Sequence, residues 1–168
     1  MKKILEDAKE ITFVNRPIQV PYNYRIVYKI CKIVLIMGKA CKRGGCSTLK
    51  LHIISNAISS NEALKELRKF LENTSNRVSI IRFDPALTRA INYALAENII
   101  DIQANGKIKL TDLGKKIYDE ILHDENIMIM EKDSLNSISD KLTEAKIEEI
   151  IANWRNSDAF DKEIKDNN

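Results

Sequence analysis

Apolar residues recur at helical spacing through most of the chain. The longest such run is YRIVYKICKIVLIMGKAC, residues 24–41, where Val27, Ile30, Val34 and Met37 lie three or four apart. Ile26, Ile33 and Ile36 widen the stripe, so the pattern predicts a helix at about 22–41 in the centre of the core. Gly44 and Gly45 in KACKRGGCST break it. Ser47 or Thr48 suits the cap of a second helix, about 48–58, with Leu49, Leu51, Ile53, Ile54 and Ile58 inward. SSNE at 59–62 fits a capping box of Ser59 and Glu62. It opens a third helix to about 72 that buries Leu64, Leu67, Phe70 and Leu71, and NTSN then reads as a turn.

The period changes in RVSIIRF, residues 77–83, which is short, β-branched and strand-like. Asp84 caps the next helix, at 85–98, and Pro85 takes its first position, where a missing amide costs nothing. Leu87, Ile91, Ala94 and Leu95 point inward; Thr88, Arg89 and Asn92 point out. IIDIQ and KIKL then pair as strands, with Asn105-Gly106 supplying the positive φ angles of a tight turn. Thr111 caps the closing helix DLGKKIYDEIL, and two further helices fill the last 45 residues before a fraying end. In TEAKIEEIIANWRN, Ile147, Ile150, Ile151 and Trp154 fall on one face. Upstream, ITFVNRPIQVP holds two prolines, which suits an extended arm or edge strand.

The order helix, strand, Asn-Gly turn, strand, helix is that of the back half of a winged-helix domain. The expected class is mostly α with minor β: a winged-helix-like core with one β-hairpin wing, flanked by extra N- and C-terminal helices. Residues 1–122 make that domain, with its extended arm and long core helix; residues 123–168 make an acidic helical extension.

Composition narrows the reading. The 168 residues are 44% hydrophobic and 30% charged, as in a globular protein. Five Gly and three Pro argue against an all-β design full of turns. Arg25, Lys29, Lys32 and Lys39 interrupt the most apolar segment, so it is a core helix and not a membrane span. The N-terminus has no apolar core of a secretory signal. Three cysteines without an export signal fit reduced thiols in the cytoplasm. Net charge is only +3, yet residues 1–60 carry 11 Lys and Arg against 3 acids, and residues 119–168 carry 6 against 14. A basic front suits nucleic acid, an acidic partner or the chain's own tail.

No catalytic constellation stands out, and neither an enzyme nor a cofactor is expected. His52 lies inside an apolar helix, as a core histidine does, and His123 ends a helix. Cys41 and Cys46, with His52 and Cys31 nearby, are too loosely spaced for a structural zinc site, so packed thiols are preferred. CKRGGCS has two readings: Lys42 and Arg43 beside a helix N-terminus suit a phosphate, while the glycines suit a tight turn. A DNA-reading wing puts Arg89 and Asn92 at base edges and Lys107 and Lys109 on phosphates. Against it, the helix offers one Arg and no Lys, and Glu97 and Asp101 repel phosphate. Ile147, Ile150, Ile151 and Trp154 either pack back onto the domain or anchor a partner.

The segments NRPIQVPYNYRIVYKI, GCSTLKLHIIS, RFDPALTRAINYALAENII and LTDLGKK, in that order, resemble the small middle component of three-component ABC phage-defence systems of the Lamassu type. The resemblance spans roughly residues 13–120. It implies two partners: an SMC/Rad50-like coiled-coil ATPase, and an effector subunit, often a nuclease. It implies a non-catalytic accessory subunit bridging the two; the basic front and wing lysines add non-specific DNA backbone contact, and the charged residues in 24–41 argue against a membrane partner. The alternative is a winged-helix transcriptional regulator that binds DNA as a dimer.

Overall fold

The computed structural model describes residues 21–41, 45–75, 83–138 and 141–154. Residues 11–20 of the expected arm and most of the expected strand at 77–83 lie outside them. The chain is mostly helical, with a small two-strand antiparallel sheet. No described helix is long and apolar enough to cross a membrane.

Helix α1 spans Ile26–Ala40 and follows a 3-10 turn at Tyr22–Tyr24. Its start is later than the apolar pattern suggests, because Arg25 is extended at φ −71° and ψ 133°. Val27, expected inward, is 73% exposed. It lies in the first turn, before the helix enters the core, so the buried face begins further along. From Lys32 to Met37 every residue is buried.

Helix α2, Thr48–Ala57, is capped by Ser47, whose hydroxyl accepts the Lys50 amide at 3.2 Å. Helix α3, Asn61–Leu71, is capped by Ser60 and not by Ser59. Ser60 accepts the Ala63 amide at 3.1 Å. The Ser59 hydroxyl donates instead to the Ser55 carbonyl at 2.6 Å and accepts from Lys32 Nζ at 2.7 Å. A buried ammonium outcompetes a helix terminus that water can also satisfy, so the cap shifts by one residue.

Helix α4, Pro85–Ala96, has the expected Asp84 cap on the Ala86 amide at 2.9 Å. It ends before residue 98 because Asn98 takes a left-handed φ of 53°. Strands β1, Ile100–Ile102, and β2, Ile108–Leu110, pair antiparallel, with Asp101 opposite Lys109. The turn is one residue longer than a two-residue loop. Gln103 pairs with Lys107 through its amide at 2.8 Å, and the Gly106 amide bonds back to the Gln103 carbonyl at 2.9 Å. Gly106 alone has positive φ, at 74°, while Asn105 caps the Lys107 amide at 2.9 Å. This is the three-residue hairpin with a left-handed glycine at its close.

Helix α5, Asp112–His123, is capped by Thr111, which also donates to the Asn98 carbonyl at 2.6 Å. Helix α6, Ile129–Asn136, and helix α7, residues 144–154, are the last described elements. Helices α2, α4, α5 and α6 and strand β2 all pack against α1. Leu135, Ile138, Leu142, Ile147 and Ile150 belong to the same buried cluster as Ile33, Leu35 and Ile36. The core is therefore continuous across residues 122 and 123.

The glycine of LTDLGKK has a steric reason. A Cβ on Gly114 would stand 2.2 Å from the Ile99 carbonyl oxygen, a backbone atom that cannot swing away. In the first turn of α5 this brings the helix onto the end of α4. Alanine ordinarily favours a helix by about 1 kcal/mol over glycine. Gly114→Ala is nevertheless expected to destabilise the fold by about 1–3 kcal/mol through overpacking. Denaturant melts of the two proteins check this, and a raised midpoint for the variant would contradict the contact.

Candidate functional site

The hairpin is tied to the junction between α1 and α2. Cys46 and Ile108 exchange both backbone hydrogen bonds, each at 2.8 Å, as an antiparallel bridge. This brings Gly45 against the Ile108 carbonyl and the stem of Lys107. Lys107 and Lys109 sit on either side of the buried Ile108, Lys109 exposed and Lys107 partly so. Of the residues expected to contact phosphate, the structure thus gathers the two hairpin lysines beside the glycine loop. Lys42 and Arg43 lie outside the described residues.

Arg89 and Asn92 are exposed on α4, as expected, and share their face with Tyr93, which is 55% exposed. Arg89 is the one charged residue within α4. Glu97, at the helix end, and Asp101, opposite Lys109, are exposed as well. Ile102, on the hairpin, is 53% exposed. The surface is therefore mixed, with aromatic and aliphatic area and charges of both signs.

The cysteines depart from the expected reduced thiols. Cys41 and Cys46 are joined as a disulfide, with Cα atoms 5.3 Å apart, and Cys31 is free. The bridge between Cys46 and Ile108 sets where Cys46 stands relative to the C-cap of α1, and a spacing of five residues does not reveal that proximity. Two of the thiols considered for zinc are thereby used. Among the described residues no group of three His, Cys, Asp or Glu is placed to hold a metal.

The stripe considered for partner docking is turned inward. Ile147 and Ile150 are buried at 3% and 1% exposure, and Ile151 and Trp154 pack on the same core half-buried. Periodicity reveals such a face but not what covers it; here the chain covers it itself.

A buried polar group joins α1, α2 and the start of α4, and apolar periodicity concealed it. Lys32 is 1% exposed, and its ammonium donates to the Ser55 carbonyl at 2.8 Å and to Ser59. Burial, reinforced by the nearby Lys29 charge, pushes the Lys32 pKa down to about 8. Lys29 pairs with Asp84, the cap of α4. Burial works to raise the Asp84 carboxyl, but the Lys29 ammonium and the helix amides outweigh it and hold it below the usual range. Tyr28 donates to Glu131 of α6, and burial followed by that carboxylate raises its phenol. His52 is 2% exposed, and its ring lies 4.7 Å from that of Phe83. Among the described residues its Nδ1 has no hydrogen-bond partner, and burial lowers its pKa, which favours the neutral imidazole. The Lys32, Lys29–Asp84 and Tyr28–Glu131 contacts link helices. The sequence signal for them was lysines recurring inside an apolar helix.

Two outcomes follow. Ile150→Ala is expected to cost about 2–5 kcal/mol of stability, as a buried aliphatic truncation does; a docking anchor would instead leave the melting curve unchanged. For Lys32, the folded pKa lies below the unfolded value of about 10.4, so the unfolded chain binds the extra proton between about pH 8 and 10.4. Its contribution is least favourable below pH 8 and improves as pH rises through that window. The unfolding free energy of wild type minus that of Lys32→Met is therefore expected to increase from pH 7 to pH 10, and a flat difference would contradict the burial. Comparison with known proteins supplies no further constraint: no family model, curated protein or solved structure matches the chain.

Proposed function

We propose that this chain is a non-catalytic accessory subunit whose helix-and-hairpin surface docks other proteins. Within that reading the core is of winged-helix type. Support comes from the order of α4, the hairpin and α5, with the Cys46 bridge pairing onto β2. The observation that carries the docking reading is the exposed side of α4. It offers one cation, Arg89, beside the exposed Tyr93, and the hairpin that follows adds Ile102 and Asp101. Sequence-reading helices present several hydrogen-bonding and cationic groups to base edges and phosphates. Exposed aromatic and aliphatic side chains beside one Arg are instead the composition of protein interfaces.

The resemblance of four segments to the middle component of Lamassu-type systems supplies the partners of this proposal. They are an SMC-type ATPase and an effector nuclease, with Lys107 and Lys109 exposed enough to touch DNA backbone. A tagged pull-down from the native host, with nuclease present, tests it. The expected result is near-stoichiometric recovery of a large coiled-coil ATPase. Tyr93→Ala is expected to weaken that association by about 30-fold, roughly 2 kcal/mol for an aromatic anchor, with no change in melting temperature. Recovery of the chain alone, with a selected DNA site at which Arg89→Ala relaxes one base position, would overturn the proposal in favour of a dimeric regulator.

A further inference from the structure

A cavity of about 270 Å³ opens between the last turns of α1, Cys41, Gly45, strand β2 and helix α5. Its walls are apolar: Met37 and Gly38 from α1, Ile108 and Leu110 from the hairpin, and the Tyr118 ring from α5. Gly38 is what lets α5 close one side. A Cβ there would stand 2.2 Å from the Tyr118 ring, so the ring lies directly on the α1 backbone. On that side the cavity is bounded by close packing.

Its polar equipment has one sign. Lys109 and Lys115 line it, and among the described residues no carboxylate does. Both lysines are exposed, and Asp112 is a counter-charge to each. Lys115 pairs with Asp112 at 2.8 Å, but the two side chains are 57% and 93% exposed, and such a pair is worth little in water. Asp101, opposite Lys109, already accepts the Ile102 amide at 2.8 Å. Size limits the occupant further. An apolar cavity of roughly 150 Å³ takes a benzene ring, so this one holds a ring and a short acidic arm. It lies just below the roughly 300–1,000 Å³ of typical ligand pockets, which suits a small ligand.

We propose that this cavity binds a small amphipathic anion, a single aromatic unit bearing a carboxylate, with the ring against Met37, Leu110 and Tyr118 and the carboxylate between Lys109 and Lys115. Such a ligand touches α1, the hairpin and α5 at once, so its binding braces the hairpin on the core. The proposal goes beyond the accessory-subunit reading and does not rest on it.

Titration calorimetry on the full chain at low salt tests it, with indole-3-acetate as probe and indole and acetate as its two halves. The expected result is saturable one-to-one binding of indole-3-acetate, at least about five-fold tighter than indole, with acetate weaker still. The double variant Lys109→Gln, Lys115→Gln is expected to lose that five-fold preference while still binding indole. Leu110→Trp, which fills the cavity, is expected to lose both ring-bearing probes. Absence of saturable binding, equal affinity of wild type and double variant for indole-3-acetate, or acetate binding as tightly as the full probe would overturn the proposal. The lysine variants lie on the surface, so they decide the matter even if Leu110→Trp does not fold.

Discussion

Six consecutive residues of α1, Lys32 to Met37, are buried. Successive residues of a helix turn by about 100°, so a buried run of that length means every side of the helix is covered. Nearly everything else in the structure answers that demand. Helices α2, α4, α5 and α6 and strand β2 each supply a side, and Ile147 and Ile150 of α7 join the same core. The C-terminal helices are thus part of the shell that makes the central helix possible. An amphipathic stripe in the tail is consumed by that requirement before any partner can use it.

Covering α1 also brings charge inside. Lys29 and Lys32 stand on the buried stretch, and an ammonium removed from water is tolerated only with partners. Each finds one on a different element: Asp84 at the head of α4, and Ser55 and Ser59 at the end of α2. The consequences are visible at element ends. Ser59 is diverted from capping α3, and Asp84 serves as helix cap and counterion together. A buried polar network of this kind resists sliding of one helix over another more specifically than apolar packing does.

The hairpin depends on the core in a more local way. The bridge from Cys46 to Ile108 and the Thr111 hydroxyl on the Asn98 carbonyl hold its two ends. What remains outward is a short ribbon with Lys109 and Asp101 opposed and Ile102 exposed, following a helix whose open face carries Arg89, Asn92 and Tyr93. That mixture is what the proposed docking role rests on. The closely packed contact of Gly38 with Tyr118 gives the inner side of the same hairpin a wall, and with it a cavity.

Most elements were legible in the sequence because their signals are local. Pro85 after Asp84, Thr111 before its helix and the Asn-Gly turn act within a few residues of themselves, and apolar spacing marks each helix face. The exposed positions of Arg89 and Asn92 followed from the same spacing. What the sequence could not carry were relations between distant segments. Val27 fits the stripe but lies beyond the reach of the elements that cover α1. Ser59 and Ser60 are equivalent caps until Lys32 takes one of them. Cys41 and Cys46 become neighbours only once Cys46 pairs with Ile108, and a stripe such as Ile147, Ile150, Ile151 and Trp154 is the same whether the chain or a partner covers it. The lone surface charges were readable as composition, but the cavity between α1, β2 and α5 was not, since it exists only where three separate backbones meet. Periodicity and capping are one-dimensional constraints and determine where elements form; which faces are spent and which polar groups are paired is decided by packing in three dimensions.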